Sequence, residues 1–218
     1  MMRLRLLANL LVRTLCVATL LPTLGVAGSD RQNSNPSRLA VIQPAPDFML
    51  TTQDGSKLSS SDLKGKVLLV SFIFTTCNGT CPATTHRMSQ IQEELKTGNL
   101  FKDGRVRLLS ISLDPARDTP EVLRGYMKLY DADSSHWTFL TGPPDQVAGV
   151  VKSWGMWARP AANGQLDHPS RIFLVDTQYR IREIYNLNFL KPKWVVQDVE
   201  LLLKEANHRV TEHIEKRN

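Results

Sequence analysis

Cysteine is scarce in this chain of 218 residues, which contains only Cys16, Cys77 and Cys81. A bridge between Cys77 and Cys81 would close so short a loop that it would add little stability, so the pair does not serve to hold the fold. Four-ligand zinc sites usually show two tight ligand pairs, and only one pair is visible. The 42% apolar content instead provides a sizeable core for one domain.

The sequence also lacks a basic run, a basic patch interleaved with aromatic residues, and an internal repeat. Its formal net charge is +6, and loss of residues 1–27 would remove three arginines and no acidic residue, which leaves +3. So mild a charge, spread along the chain, predicts no nucleic-acid partner.

The N-terminus has no uninterrupted apolar run of membrane-spanning length. Thr14–Ala27 is free of charge for only 14 residues, whereas a spanning helix needs about 20. A basic start at Arg3 and Arg5, an apolar segment and the small residues Gly25-Val26-Ala27 are typical of a secretory signal. We therefore expect residues 1–27 to be a signal peptide, or a membrane anchor if an internal arginine snorkels, and the protein to be exported to the periplasm.

Cys77 and Cys81 follow the apolar run Val67–Phe74 and precede Pro82, which suits the first position of a helix. The pair therefore lies at the tip of a predicted central strand. Two thiols at this spacing can close a disulfide or hold a soft metal ion such as Cu(I). The helix N-terminus carries partial positive charge, which favours thiolates at both cysteines.

Hydrophobic periodicity predicts strands and helices that alternate along the chain. The predicted strands are Val67–Phe74, Arg105–Leu113, Trp137–Leu140, Arg171–Asp176 and Arg180–Tyr185, and the predicted helices are Pro82–Lys96, Pro120–Tyr130, Pro144–Trp154 and Lys193–Lys204. This order predicts an α/β fold with a central mixed sheet flanked by helices, and the cysteine pair at a strand end favours a thioredoxin-like architecture. We expect a flexible linker over residues 28–43, the domain over 44–206 and a frayed, charged tail over 207–218.

His168 is the histidine that stands out, because it lies in a loop that leads directly into the strand beginning near Arg171. Such loops can bring a side chain to the ends of neighbouring strands. With Cys77 and Cys81 it would form a three-coordinate soft site suited to Cu(I) and, with an added ligand, Cu(II). The alternative is an ordinary loop histidine. His86, one turn into the predicted helix, is better explained as a solvated helix residue.

Three segments of the chain together resemble the Sco/SenC proteins, thioredoxin-like copper-binding factors of the bacterial periplasm and the mitochondrial inner membrane. The resemblance covers roughly Pro44 to Leu203. The segments are Cys77-Asn78-Gly79-Thr80-Cys81-Pro82, Asp114-Pro115-Ala116-Arg117-Asp118-Thr119-Pro120, and Asp167-His168 ahead of a strand. The chain departs from the family in having Asn78, where many members have proline, and Trp157, where tyrosine is usual.

This resemblance implies that Cys77, Cys81 and His168 are copper ligands and that Asp167 tunes the site. It implies an exported metallochaperone, either soluble or tethered to the inner membrane. Such a protein would deliver copper to the dinuclear copper site of cytochrome c oxidase subunit II or another copper protein, or maintain its thiols with the help of a thiol reductant. Asp114, Arg117 and Asp118 would either cap the following helix or organise the loop beside the metal.

An enzyme on the same fold is the alternative. In a periplasmic thiol–disulfide oxidoreductase or thiol peroxidase, Cys77 would attack and Cys81 would resolve the mixed disulfide. Two features weaken this reading. Thioredoxin-type enzymes mostly use Cys-x-x-Cys, and where they place a cis-proline this chain has Ser170, with Pro169 one residue earlier.

Overall fold

The structure is a computed structural model that describes residues 39–161 and 164–215. The predicted leader over residues 1–27 and residues 28–38 of the predicted linker lie outside the described residues. In the part of the chain that is described, no helix combines the length and the apolar character needed to cross a membrane.

Strands and helices alternate through most of the domain, as the periodicity predicts. The strands are β1 Gln43–Pro44, β2 Met49–Thr52, β3 Lys57–Ser59, β4 Val67–Ile73, β5 Val106–Ser112, β6 Trp137–Thr141, β7 Arg159–Pro160, β8 Leu166–Asp167, β9 Arg171–Val175 and β10 Arg180–Asn186. The helices are α1 Thr80–Thr97, α2 Pro120–Lys128, α3 Pro144–Ser153 and α4 Pro192–Glu215, with short 3₁₀ helices at Ser60–Leu63 and Leu187–Phe189.

Eight of the described strands form one mixed sheet in the order β1-β10-β9-β4-β5-β6-β2-β3, and β7 pairs with β8 in a separate ribbon. Strand β4 lies at the centre, parallel to β5 and antiparallel to β9. All seven residues of β4 are buried, as expected of a strand covered on both faces of the sheet. The predicted α/β fold with a mixed sheet flanked by helices is confirmed.

Helices cover both faces of this sheet. On one face, α1 contacts α2 through a hydrogen bond of 2.9 Å between Thr85 Oγ1 and Tyr126 Oη, and the Tyr126 ring meets Phe139 of β6. On the other face, Trp154 at the end of α3 packs against Phe72 and Phe173 of adjacent strands. Successive side chains of a strand point to opposite faces of the sheet, and helices cover both of these faces. The loops therefore meet at the ends of the strands.

Residues 39–43, which we expect to be part of the linker, contact the rest of the domain. Leu39 is buried, and Gln43 pairs with Ile181. The buried guanidinium of Arg182 donates to the Leu39 carbonyl oxygen at 2.9 Å through Nε and also pairs with Asp176. A buried arginine needs such partners, and they fix this segment in place.

Helix α4 also differs from the prediction, since it continues to Glu215 instead of ending at Lys204. The part of the expected frayed, charged tail that is described, residues 207–215, is helical. No glycine or proline interrupts residues 204–215, and the charged and alanine residues there are compatible with a helix.

Candidate metal site

The two cysteines lie where the central strand β4 gives way to helix α1. A turn follows the buried Phe74, whose carbonyl oxygen accepts a hydrogen bond of 3.3 Å from the Cys77 amide. Helix α1 begins at Thr80, earlier than the predicted start at Pro82, so Cys81 lies in its first turn. Cys77 is half-buried, whereas the Cys81 side chain is fully buried. One thiol therefore faces the surface and the other the core.

The loop between β8 and β9 brings His168 to these thiols. Its Nε2 atom lies 3.3 Å from Cys81 Sγ, and its Nδ1 atom lies 3.0 Å from the carbonyl oxygen of Pro169. Because a carbonyl can only accept, Nδ1 carries the proton and the Nε2 lone pair points to Cys81. The ring also packs edge-on against Phe74, with centroids 5.8 Å apart. This is the orientation that a metal-binding imidazole requires.

The ligand atoms of Cys77, Cys81 and His168 all lie within 4.8 Å of one another. Among the described residues, no other three histidine, cysteine or acidic side chains form such a group. Two sulfur atoms and one imidazole nitrogen are soft donors, and three of them match the low coordination number that Cu(I) accepts. The three residues that the sequence predicted as ligands are thus brought together.

Burial controls the protonation of this site. It raises the pKa of the Cys81 thiol above its ordinary range, and the nearby Cys77 adds to the effect. Burial therefore opposes the thiolate that the helix N-terminus was expected to favour at Cys81. Burial also lowers the pKa of His168, against the raising effects of the Pro169 carbonyl and Asp167. The imidazole is thus kept neutral and ready to bind a metal.

Asp118 secures the strand end that leads to Cys77. Its fully buried carboxylate accepts hydrogen bonds from the Thr75 hydroxyl and the Ser112 hydroxyl, both at 2.6 Å, and from the Thr75 amide at 3.2 Å. Burial raises the pKa of this carboxyl, while the three hydrogen bonds oppose the shift. Asp118 therefore does more than begin helix α2, because it also fixes the backbone two residues before Cys77.

Arg117 links the same segment to the loop that carries His168. Its guanidinium forms an ion pair with Asp114 and donates a hydrogen bond of 3.1 Å to the Gly164 carbonyl oxygen. The Asp114-to-Pro120 segment thus serves both roles considered from the sequence: Thr119 caps helix α2, and its neighbours contact both loops of the metal site.

Gln165 was not identified from the sequence. Its side-chain oxygen accepts a hydrogen bond of 3.1 Å from the Asn78 amide, and its side-chain nitrogen donates one of 3.3 Å to the Thr76 carbonyl oxygen. Ser170 adds a hydrogen bond of 2.8 Å to the Thr80 hydroxyl. No local pattern signals such contacts, because the partners of Gln165 are more than eighty residues away in the chain.

Two other histidines lie away from the ligand group. His86 is exposed on helix α1, as expected. His136 is half-buried and stacks on Phe101 at a centroid distance of 4.1 Å. Trp157 is partly exposed, with the Arg159 guanidinium 4.9 Å from its ring centre.

Comparison with known proteins identifies the family. The sequence profile of the SCO1/SenC family matches residues 40–204 of this chain. The chain belongs to the SCO1/SenC family. A relative from Bacillus subtilis, a SCO1 protein homolog, is 34% identical over 142 residues, which is 64% of this chain and 72% of the relative.

Solved structures of SCO1/SenC proteins share the fold. ScoI from Bradyrhizobium japonicum, solved with copper bound, is 30% identical with a TM-score of 0.63, covering 73% of this chain and 99% of ScoI. BsSco, described as having a disulfide switch and as a member of the Sco family of cytochrome c oxidase assembly proteins, is 30% identical with a TM-score of 0.66, covering 75% of this chain and 95% of BsSco. The predicted thioredoxin-like fold and family are confirmed.

Proposed function

We propose that this protein is an exported copper-binding protein that delivers copper to, or maintains the thiols of, the dinuclear copper site of cytochrome c oxidase subunit II. The observation that carries the proposal is the group of two thiols and one imidazole whose ligand atoms lie within 4.8 Å. The copper-bound relative and the description of BsSco support copper as the cargo and oxidase assembly as the process. The leader-like composition of residues 1–27 supports export to the periplasm.

In this proposal copper is cargo, and the three residues hold it by distinct means. His168 needs no proton change, because its Nε2 lone pair is already directed at the site. Cys81 must release its thiol proton as it binds, since its anion is otherwise disfavoured by burial. Cys77 is half-buried whereas Cys81 is fully buried, so an incoming thiolate from a partner meets Cys77 before Cys81. Copper then passes by ligand exchange, with Cys77 displaced before Cys81.

Anaerobic Cu(I) titration of the reduced protein against a competing chelator tests this function. We expect one copper per chain and an affinity that falls at least about tenfold in His168→Ala and further in Cys77→Ser, because each loses a ligand. His86→Ala is the matched control, since this exposed helix histidine lies outside the ligand group. Tight binding that survives loss of both Cys77 and Cys81 would rule the proposal out.

A thiol–disulfide oxidoreductase is the second candidate, and the unequal exposure of the cysteines favours it. The Cys77 sulfur is half-buried and accepts a hydrogen bond of 3.3 Å from the Gly79 amide, so it is the thiol of the pair that a target disulfide can reach. Cys77 would attack a target disulfide, and Cys81 would then displace the target thiolate. Cys77 and Cys81 would end as a disulfide, and the target disulfide would be reduced to two thiols by the two electrons they give up. Reduction of insulin no faster than with free dithiol would exclude this activity.

A further inference from the structure

A single side chain joins the two loops of the metal site. Gln165 lies three residues before His168, at the entry to β8. Its carboxamide makes one hydrogen bond to the backbone on each side of Cys77, to the Asn78 amide at 3.1 Å and to the Thr76 carbonyl at 3.3 Å. We call these two hydrogen bonds the Gln165 clasp.

The chemistry of the clasp is specific. It needs one acceptor and one donor at the end of the same side chain, and a primary amide supplies both. It also needs an N–H group at residue 78, which Asn78 supplies and a proline would not. Asparagine would be one methylene shorter, and a glutamate carboxylate would accept from Asn78 but would have nothing to donate to Thr76.

Other contacts hold the His168 loop in place, so the clasp can fix the distance between this loop and the backbone around Cys77. The Ser170 hydroxyl joins the Thr80 hydroxyl at 2.8 Å beyond His168, and Arg117 holds the Gly164 carbonyl before it. The His168 loop is thus held on both sides of the histidine. Cys77 is only partly buried against the core, whereas Cys81 is fully buried. The clasp is what ties the backbone around Cys77 to the loop of His168.

We propose that Gln165 is a positioning residue that holds the backbone on both sides of Cys77 and so fixes the Cys77 thiol relative to the His168 imidazole. The inference rests on the proposed copper function, because it assigns Gln165 a part in keeping Cys77 as a ligand. Loss of the clasp leaves Cys81 and His168 in place and frees Cys77. Copper then binds less tightly, and the Cys77 thiol becomes easier to reach.

Three variants of the full chain test the clasp. Gln165→Leu keeps the size of the side chain and removes both hydrogen bonds, whereas Gln165→Glu keeps the acceptor for Asn78 alone. Gln178→Leu is the matched control, because Gln178 is exposed in the turn between β9 and β10, at the opposite end of the sheet. Circular dichroism establishes that each variant is folded.

The first measurements use the reduced protein without metal. In Gln165→Leu we expect the Asn78 amide to exchange with solvent about fivefold faster, as the loss of one hydrogen bond predicts, and Cys77 to react faster with iodoacetamide. Gln165→Glu should restore the slow exchange of Asn78, and Gln178→Leu should match the wild type. Wild-type exchange and alkylation rates in Gln165→Leu would overturn the proposal.

The second measurements use copper. We expect Gln165→Leu to weaken Cu(I) binding by about fivefold to tenfold and to shift the thiolate charge-transfer band of the Cu(II) form, which a purely structural role would leave unchanged. In Asn78→Pro, which already lacks the N–H donor, Gln165→Leu should have a smaller further effect. Equal Cu(I) affinity in Gln165→Leu and the wild type would overturn the proposal. If the wild type bound no copper, the proposed function would fail, while the metal-free rates would still decide whether the clasp exists.

Discussion

Cys81 has an environment that opposes the negative charge it would need as a copper ligand. Its side chain is fully buried, and this burial raises the pKa of its thiol. In the metal-free protein the thiol proton is therefore retained at neutral pH, where it can be donated to His168 Nε2 at 3.3 Å. A bound cation supplies the charge that the surroundings lack, so binding of the metal and loss of the proton are coupled.

Copper affinity should consequently depend on pH. Because Cys81 is protonated before binding and deprotonated after it, each copper bound releases at least this proton. The apparent Cu(I) association constant should rise at least about tenfold for each pH unit between about pH 6 and about pH 8. Competition titrations at several pH values measure the slope. His86→Ala should keep the wild-type slope, and in Cys81→Ser the rise per pH unit should be about tenfold smaller. An association constant that does not change with pH in the wild type would contradict this account.

Residue chemistry made the group of two cysteines and one histidine predictable, but not the side chains that hold it in place. Cys77 and Cys81 are evident from their spacing, and His168 from its place before a strand and from the family resemblance. Gln165 could not be found in this way, because its partners Thr76 and Asn78 are 89 and 87 residues away. The unfavourable burial of Cys81 was also missed, because a helix start is visible in sequence whereas the depth of packing around it is not.

Asp118 acts at the scale of elements, because one buried carboxylate joins the ends of β4 and β5 where α2 begins. Its acceptor atoms satisfy the Thr75 amide and hydroxyl and the Ser112 hydroxyl. A carboxylate suits three converging donors, since it can only accept. Deleting it leaves these donors without this acceptor in a largely buried setting, a change that is costly in folded proteins.

Asp118→Ala should therefore destabilise the fold by about 2–4 kcal/mol. It should also speed alkylation of Cys77, because Thr75 lies two residues before it. Asp145→Ala is the matched control: Asp145 is exposed in the first turn of α3, where its loss should cost less than about 1 kcal/mol. Urea denaturation gives both values. Equal stability of the two variants would mean that Asp118 is not needed to hold the strand ends.

Elements with a clear hydrophobic periodicity were predicted from the sequence, and elements too short to show one were not. The buried run of β4 and the apolar positions of α1 carry patterns that identify a strand and a helix within a few residues of their ends. The two-residue strands β7 and β8 have no period to detect, so the ribbon that presents Gln165 and His168 was expected to be only a loop. Helix α4 was ended too early because charge was taken as a sign of fraying.

At the scale of the whole molecule, the candidate metal site would close a long loop of the chain. Cys81 and His168 are 87 residues apart in sequence, and between them lie strands β5 to β8, most of helix α1, and helices α2 and α3. A ligand that binds only the folded arrangement stabilises it by mass action. Copper should thus act as a cross-link between the end of β4 and the loop before β9, two segments that are distant in sequence.

Thermal unfolding with chelator-buffered Cu(I) measures this linkage. At free Cu(I) about 1,000 times the dissociation constant, copper should add about 4 kcal/mol to the stability of the reduced protein. For a domain of this size that corresponds to a rise in Tm of roughly 8–16 °C. At the same free Cu(I), His168→Ala should show a smaller rise, because weaker binding lowers the ratio of ligand to dissociation constant. A rise as large in a Cys77→Ser, Cys81→Ser double variant would place copper elsewhere on the chain, since neither thiol would remain to join the two loops.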